Sequence, residues 1–200
     1  NASTGEEVWT YAFGNDEELY PPTVADGKVY VTCSDNNLYA FDATDGSQLW
    51  NYTTGAPVES SPVSSKGVVY ATSNDGNIYA IDAAVSNKIW NSSIGREAKS
   101  GFLSSPAVSD DVVYVGSNTH VVYALDALTG TKIWSTDIGW MFSTPAVAYG
   151  SVYVASAHKL YAMGTSRFTS KLTVVLVPEL LIVSVVIFVI FLVVFGDLQK

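Results

Sequence analysis

Few residues in this chain have types and spacings that could do chemistry. Its one cysteine, Cys33, and its two histidines, His120 and His158, have no sequence neighbours that would activate a thiol or complete a metal site. We interpret Cys33 as a small residue at a repeat position and the histidines as turn residues. The acidic runs at 16–18 and 110–111 lack EF-hand spacing, so solvated loops are expected, with calcium binding as the alternative. The sequence predicts no catalytic residue, no metal site and no cofactor, and therefore no enzyme.

Some residues could instead serve recognition or modification. Glycosylation sequons begin at Asn1, Asn51 and Asn91, and we predict possible glycosylation of Asn51 and Asn91 if the chain is exported. Four residues in long connections form the possible partner-binding set: Arg96, Phe102, Trp140 and Phe142. The aromatic members of the second connection could equally pack inside the fold.

The charge balance limits the class of partner. The 200 residues carry a net charge of −9, with a pI near 4.4. Nucleic-acid binding needs a basic surface that neutralises phosphates, so a nucleic-acid partner is not expected. A protein or glycan partner, bound through loops, is expected instead. With one cysteine, no disulfide can form within the chain.

Four internal repeats must position these residues. Tryptophans recur at intervals of 41, 40 and 44 residues, and a proline and two tyrosines recur in nearly the same register. The markers are Trp9, Trp50, Trp90, Trp134; Pro22, Pro62, Pro106, Pro145; Tyr30, Tyr70, Tyr114, Tyr153; and Tyr39, Tyr79, Tyr123, Tyr161. Units of about 40 residues are typical of β-propeller blades.

Each unit predicts four short strands. The first contains the proline and should lie at a sheet edge, because proline has no N–H to donate to a ladder. A turn such as Asn74–Asn77 predicts a hairpin between the second and third strands. The tryptophan follows in the fourth strand and is expected to pack between sheets, although a ladder for ligand stacking is the alternative. The body is predicted to be all-β, without helices.

Three segments carry a family resemblance. Ala40 to Trp50, Ala80 to Trp90 and Ala124 to Trp134 resemble the eleven-residue tryptophan-docking motif of PQQ-like (quinoprotein-type) β-propellers. The resemblance implies structural blade-docking roles for Trp9, Trp50, Trp90, Trp134, Asp42, Asp82, Asp126, Gly46 and Gly130. Val85 and Ser86 replace the Thr-Gly of the motif, so that turn is expected to be looser or differently shaped.

The resemblance also orders the possible functions. The chain is similar to the non-catalytic, BamB-like members that act in outer-membrane assembly, which implies a scaffold that binds partners. The alternative is a fragment of a membrane-anchored quinoprotein dehydrogenase whose catalytic residues lie outside this segment. An upstream cysteine pair with calcium-binding acids would favour the dehydrogenase.

The predicted organisation has four parts. Propeller repeats span 1–166, with blades near 8–50, 51–90, 91–134 and 135–166; a linker spans 167–172, a transmembrane helix 173–196 and a short tail 197–200. Val8–Tyr11 resembles a fourth strand that could complete the last blade and close a four-bladed ring. The other possibility is that the repeats form part of a larger ring.

The apolar C-terminal segment predicts a membrane anchor. Leu180–Gly196 contains no charged residue, and with 174–177 the segment is long enough to span a bilayer. Arg167 and Lys171 precede it and Lys200 follows it, which by the positive-inside rule would place the propeller in the cytoplasm. The short tail and the family resemblance favour an extracytoplasmic, cell-surface propeller, and we adopt that orientation as the expectation.

Overall fold

A computed structural model describes residues 3–95, 104–139 and 143–164. Within these ranges the chain forms fifteen β-strands and no helix. The strands make four antiparallel sheets, each built from consecutive strands. The prediction of an all-β, propeller-type body is confirmed.

The four sheets have nearly the same design. Sheet 1 contains β1 (Thr23–Ala25), β2 (Lys28–Thr32), β3 (Asn37–Asp42) and β4 (Gln48–Thr53). Sheet 2 contains β5 (Val63–Ser65), β6 (Val68–Ser73), β7 (Asn77–Asp82) and β8 (Lys88–Ser93). Sheet 3 contains β9 (Ala107–Ser109), β10 (Val112–Gly116), β11 (Val121–Asp126) and β12 (Lys132–Asp137). Sheet 4 contains β13 (Ala146–Ala148), β14 (Ser151–Ala155) and β15 (Leu160–Gly164).

The proline prediction is correct for the position of the first strand in its sheet and wrong for the proline itself. β1, β5, β9 and β13 are all edge strands, but in each sheet the proline immediately precedes the strand instead of lying within it. β1 lies beside β5, β5 beside β9, and β9 beside β13. The first strands therefore line the inner side of the arrangement, as expected for propeller blades.

Each sheet has two ends. The turn end carries the tight turn between its first two strands and, in sheets 1–3, the corner between its last two. The tight turns place two consecutive residues in the left-handed region, as in Asp26–Gly27, with φ of 50° and 71°. The loop end carries the turn between the second and third strands and the connections between sheets. There Thr54, just after β4, donates its N–H to the carbonyl of Asn36 at 2.8 Å.

The core lies between neighbouring sheets. Tyr30 and Leu38 of sheet 1 cluster with Val69 and Ile81 of sheet 2, and all four are almost fully buried. Equivalent clusters lie between sheets 2 and 3 and between sheets 3 and 4. The second and third strands of sheet 2 are buried almost continuously, because neighbouring sheets cover both faces. In sheet 4, β14 and β15 alternate between more and less buried residues, as expected for a sheet covered on one face.

The N-terminal segment differs from its prediction. Residues 8–11 are not a β-strand, and β15 has no fourth strand beside it within the described ranges. The segment instead packs against the face of sheet 1. Tyr11 and Phe13 lie over Phe41, with ring centroids 4.6 and 5.9 Å from it. The hydrogen-bonded completion of sheet 4 by this segment, one of the two possibilities, is therefore absent from the described part of the chain.

The C-terminal predictions lie outside the described residues. These are the linker at 167–172, the membrane span at 173–196 and the tail at 197–200. Among the residues that the structure does describe, no helix is long and apolar enough to cross a bilayer. The predicted blade bounds also remain predictions, although each of the four repeats contains a sheet.

Candidate functional site

The repeated tryptophans contact the following sheet in one geometry. Each of three indoles donates its Nε1–H to the backbone carbonyl of an alanine at the corner after the third strand. The pairs are Trp9 with Ala43 (3.1 Å), Trp50 with Ala83 (3.1 Å) and Trp90 with Ala127 (3.0 Å). A donor that would otherwise be buried without a partner is thereby satisfied, and the bond fixes the distance between sheets.

Two glycines make this approach possible. A Cβ added to Gly46 would lie 2.5 Å from Cε3 of Trp9, and one added to Gly130 would lie 2.6 Å from Cε3 of Trp90. Both glycines also have positive φ, at 74° and 71°. These positions therefore require glycine twice over, for the left-handed turn and for the space that the indole occupies.

The aspartates of the motif shape the same corner. Asp42 accepts a hydrogen bond at its Oδ1 from the N–H of Thr44 at 2.7 Å. Asp82 and Asp126 each accept two backbone N–H groups at the equivalent place. Such bonds hold the turn and leave the carboxylates occupied with the backbone.

The second corner does not have the looser shape expected from its sequence. Ser86 takes the glycine position with φ of 57°, and its N–H donates to the carbonyl of Asp82 at 3.1 Å. The matching bond in the third repeat joins Gly130 to Asp126. The expectation was wrong because the local hydrogen bonds hold a serine in the left-handed region, at a cost that a small side chain tolerates.

Trp134 belongs to the same series but its docking contact is not described. Its ring lies 6.1 Å from that of Tyr114, as Trp50 lies 5.9 Å from Tyr30. The chain after Gly164, which would supply the next corner, lies outside the described residues. A blade-docking role for Trp134 remains a prediction.

A second set of contacts joins the sheets at their inner strands, and the sequence analysis missed it. Thr32 donates its hydroxyl to the carbonyl of Ser60 at 2.6 Å, and Thr72 donates to the carbonyl of Ser104 at 3.1 Å. The hydroxyls of Ser60 and Ser104 in turn accept a backbone N–H within their own sheets. The recurring Ser-Ser-Pro triplet was the signal that could have revealed this set.

The loop end is acidic in the described residues. Seven carboxylates lie in its turns, connections and strand ends: Asp16, Glu17, Glu18, Asp35, Glu59, Asp75 and Asp137. Lys159 is the one lysine or arginine among the described residues there. The other lysines of the sheets, at 28, 66, 88 and 132, lie at the turn end. The turn end also holds seven aspartates, at 26, 42, 45, 82, 110, 111 and 126, so both ends are net acidic. The loop end is the more negative of the two because it has fewer lysines, and it should attract a basic partner more strongly.

Three of these carboxylates surround the segment that leads into β1. Glu17 accepts a hydrogen bond from the hydroxyl of Ser34 at 3.0 Å, and Glu18 accepts one from Tyr20 at 3.4 Å. Burial, together with the charges of Glu59 and Glu18, raises the pKa of Tyr20 to about 12. Glu17 and Glu18 are exposed, so their charge is available to a partner.

Two further carboxylates hold turns. The hydroxyl of Tyr39 donates to Asp35, and that of Tyr79 donates to Asp75 at 2.5 Å. Burial opposes ionisation of Asp35, but the hydrogen bonds from Tyr39, Asn37 and Cys33 outweigh it and hold its pKa below the ordinary value. Burial and the same tyrosine–aspartate bonds raise the pKa of Tyr39 and Tyr79.

Cys33 and the histidines occupy structural positions. Cys33 is fully buried, and burial raises the pKa of its thiol to about 11. His120 sits in the loop-end turn of sheet 3 with φ of 71°, and His158 occupies the equivalent turn of sheet 4. No group of three or more His, Cys, Asp or Glu residues in the described ranges could hold a metal ion.

The remaining candidates divide between described and undescribed segments. Asn51 and Asn91 are exposed on the outer strands β4 and β8, at equivalent positions. All four possible partner-binding residues, Arg96, Phe102, Trp140 and Phe142, lie outside the described residues. The chain enters both of their segments from the loop end, after Gly95 and Gly139.

Comparison with known proteins agrees with this geometry. The family model described as outer membrane protein assembly factor BamB matches residues 1–102 and 74–167. The chain belongs to this PQQ-like β-propeller family. The structure is similar to BamB from Moraxella catarrhalis, with a TM-score of 0.60 and 22% identity over 69% of this chain and 43% of that one.

Two further similarities mark the limits of the comparison. The computationally designed Ika4 protein matches with a TM-score of 0.66 and 15% identity, over 80% of this chain and 100% of Ika4. The quinoprotein ethanol dehydrogenase of Pseudomonas aeruginosa is 36% identical over 58 residues, which are 28% of this chain and 9% of the enzyme. The chain therefore spans less than half of that BamB and about a tenth of that enzyme.

The contact between glycine and indole generates a stability prediction. Gly130→Ala should lower the free energy of unfolding by about 1–2 kcal/mol for the left-handed residue, plus about 1–3 kcal/mol for the clash with Trp90. Gly67→Ala is the matched control, since Gly67 has φ of 76° but nothing within 4 Å of an added Cβ. Urea unfolding of the full chain in mild detergent measures both. Equal losses would show that the indole contact contributes nothing.

The buried thiol generates a second prediction. Because its pKa is raised to about 11, Cys33 should be alkylated by iodoacetamide at pH 8 about 100-fold or more slowly than an ordinary thiol. The rate should rise nearly tenfold between pH 9 and pH 10, whereas that of an ordinary thiol should rise less than about twofold. A Cys33→Ser, Leu128→Cys variant provides the exposed thiol for comparison. Equal rates in the folded proteins would contradict the assignment of Cys33 as inert.

Proposed function

We propose that the chain is a non-catalytic propeller scaffold that binds a protein partner at its acidic loop end. The observation that carries this is the charge distribution: seven carboxylates at the loop end are offset by one lysine, whereas seven aspartates at the turn end are offset by four lysines. Complementary charge accelerates association and selects partners. The partner surface is therefore expected to be basic. Family membership supports a scaffold, since the family description names an assembly factor.

The loop end is also where the chain can vary without disturbing the sheets. The connections that leave it include the two segments holding Arg96, Phe102, Trp140 and Phe142. Loops on a rigid framework commonly provide binding residues, because a rigid framework loses little conformational entropy on binding. We place the aromatic residues of these segments in the same partner contact. A glycan partner is the second possibility for such aromatic side chains.

We further propose that residues 173–196 anchor the propeller to a membrane, with the propeller on the extracytoplasmic side. The support is the apolar sequence itself, since Leu180–Gly196 lacks any charge. In that location the exposed Asn51 and Asn91 would be open to glycosylation.

The dehydrogenase alternative has weaker support. Its similarity covers 9% of the quinoprotein ethanol dehydrogenase, within the repeated blades. The aspartates that recur in this region, such as Asp42 and Asp126, bind their own turns. We therefore favour the scaffold.

Charge substitution tests the binding end. Glu17→Gln, Glu18→Gln and Glu59→Gln together should weaken capture of the native partner about tenfold or more, and should reduce the salt dependence of capture. The control, Asp26→Asn, Asp45→Asn and Asp110→Asn, removes the same charge at the turn end and should leave capture unchanged. Quantitative cross-linking and mass spectrometry on membranes of the source cells measures both. Equal effects of the two triple variants would contradict the assignment.

Membrane extraction tests the anchor. The full chain should stay in the membrane pellet after an alkaline carbonate wash, whereas Ile187→Lys with Ile190→Lys should release it. Each lysine costs about 2.5–3.5 kcal/mol at the centre of a span. Ile187→Leu with Ile190→Leu is the apolar control and should remain in the pellet. Protease added to sealed cells should digest the propeller if it lies outside, and its protection would reverse the proposed orientation.

A further inference from the structure

Sheet 4 leaves uncovered a face that is sealed in every other sheet. Equivalent positions of the third strands can be matched through the tyrosine that recurs in each of them, at 39, 79, 123 and 161. Leu38, Ile78 and Val122, each directly before that tyrosine, are at most 1% exposed, whereas Leu160, in the same position, is 74% exposed. Ala162 is exposed, whereas Ala40, Ala80 and Ala124 are fully buried.

The same sheet lacks an indole. In sheets 1, 2 and 3 the tyrosine of the second strand lies 5.8 to 6.1 Å from the tryptophan of the fourth: Tyr30 with Trp50, Tyr70 with Trp90, and Tyr114 with Trp134. Those tyrosines are at most 3% exposed. Tyr153 holds the corresponding place in sheet 4, where it is only half-buried and has no fourth strand beside it within the described residues.

The N-terminal segment makes the contacts of a fourth strand. Trp9 makes the contact of a fourth-strand tryptophan, with its Nε1–H on Ala43 and its ring over Gly46. The hydroxyl of Tyr11 donates to Gln48 at 2.8 Å. Yet residues 8–11 are paired with no strand. Within residues 3–95, 104–139 and 143–164, the segment is thus a fourth strand without a sheet, and sheet 4 is a sheet without a fourth strand.

In the described part of the chain, the Trp9 segment and β15 are not paired with each other. Trp9 is already fixed on sheet 1, while Leu160 and Ala162 of the same chain stay exposed. We propose that β15 accepts the Trp9 segment of a second copy, and that the second copy's β15 accepts the first copy's segment in return. Two equivalent contacts then close a two-fold ring in which sheet 4 of each copy gains a fourth strand.

The similar structures suit two different ways of closing a ring. The chain aligns with 43% of BamB from Moraxella catarrhalis, so a ring of that size needs further blades, which a second copy could supply. Similarity to the whole of Ika4 would instead suit closure within a single chain. The experiment must therefore distinguish contacts between chains from contacts within one.

The register of the new pair follows from the other sheets. Ala40 pairs with Trp50 and Leu38 with Tyr52, so Ala162 should pair with Trp9 and Leu160 with Tyr11. Directly opposed residues on neighbouring strands bring their Cβ atoms to about 4.5–5.5 Å, close to what a disulfide needs.

Disulfide trapping tests the proposal on the full chain in detergent. Two single-cysteine chains are made in a Cys33→Ser background, one with Tyr11→Cys and the other with Leu160→Cys. Serine is suited to position 33 because Ser73 and Ser117 occupy it in sheets 2 and 3. Mixed and oxidised, the two chains should form a cross-linked heterodimer of twice the 21.4 kDa chain mass. The control, Leu128→Cys with Tyr11→Cys, should not cross-link.

Two further measurements make the outcome decisive. In an otherwise unchanged chain, Leu160→Asp should reduce the dimer fraction about tenfold or more in native mass spectrometry. The substitution places a charge in the apolar contact between the two copies. Leu128→Asp, at an equally exposed turn-end site, should not. A monomer in native mass spectrometry, or a disulfide that forms only within a chain carrying both cysteines, would overturn the proposal. So would a folded mixture that yields no cross-link.

Discussion

The hydrogen bond from a tryptophan indole to an alanine carbonyl of the next sheet is the constraint on which this architecture depends. It combines a large apolar contact with one polar bond of fixed direction. Trp50 and Trp90 therefore set both the spacing and the rotation between consecutive sheets. Everything near that contact adapts to it. Gly130 leaves room for the ring, and Asp126 holds the turn that presents the carbonyl.

The inner strands add a second constraint near the axis. There, hydroxyls of Thr32 and Thr72 bond to carbonyls of the following sheet. These short contacts suit the narrow side of a wedge, where strands are close, whereas the indole suits the wide side. A blade held at both radii cannot easily rock against its neighbour. The loops that leave the rigid sheets are then free to carry binding residues without supporting the fold.

Much of the fold could be predicted because its repeat is local. The spacing of Trp50 and Trp90, and the prolines before the inner strands, require nothing beyond one unit and its neighbour. The turn at Ser86 could not be predicted from propensity, because hydrogen bonds around Asp82 decide its shape. The positions of the acidic residues at the loop end could be predicted only in part from the sequence. Asp75 follows from the hairpin pattern, but Glu17 approaches Ser34 through a contact between distant segments.

The exposure of side chains in the last sheet could not be predicted from the sequence. Leu160 has the same kind of side chain as Leu38, and local pattern assigns both to a buried face. Whether such a residue is buried depends on what stands next to its sheet, and the strand alone does not contain that information. The contrast between 1% and 74% exposure is therefore a property of neighbours. Sheet 4 and the N-terminal segment must therefore be explained together. In the other repeats, a fourth strand like the N-terminal segment pairs with a third strand like β15.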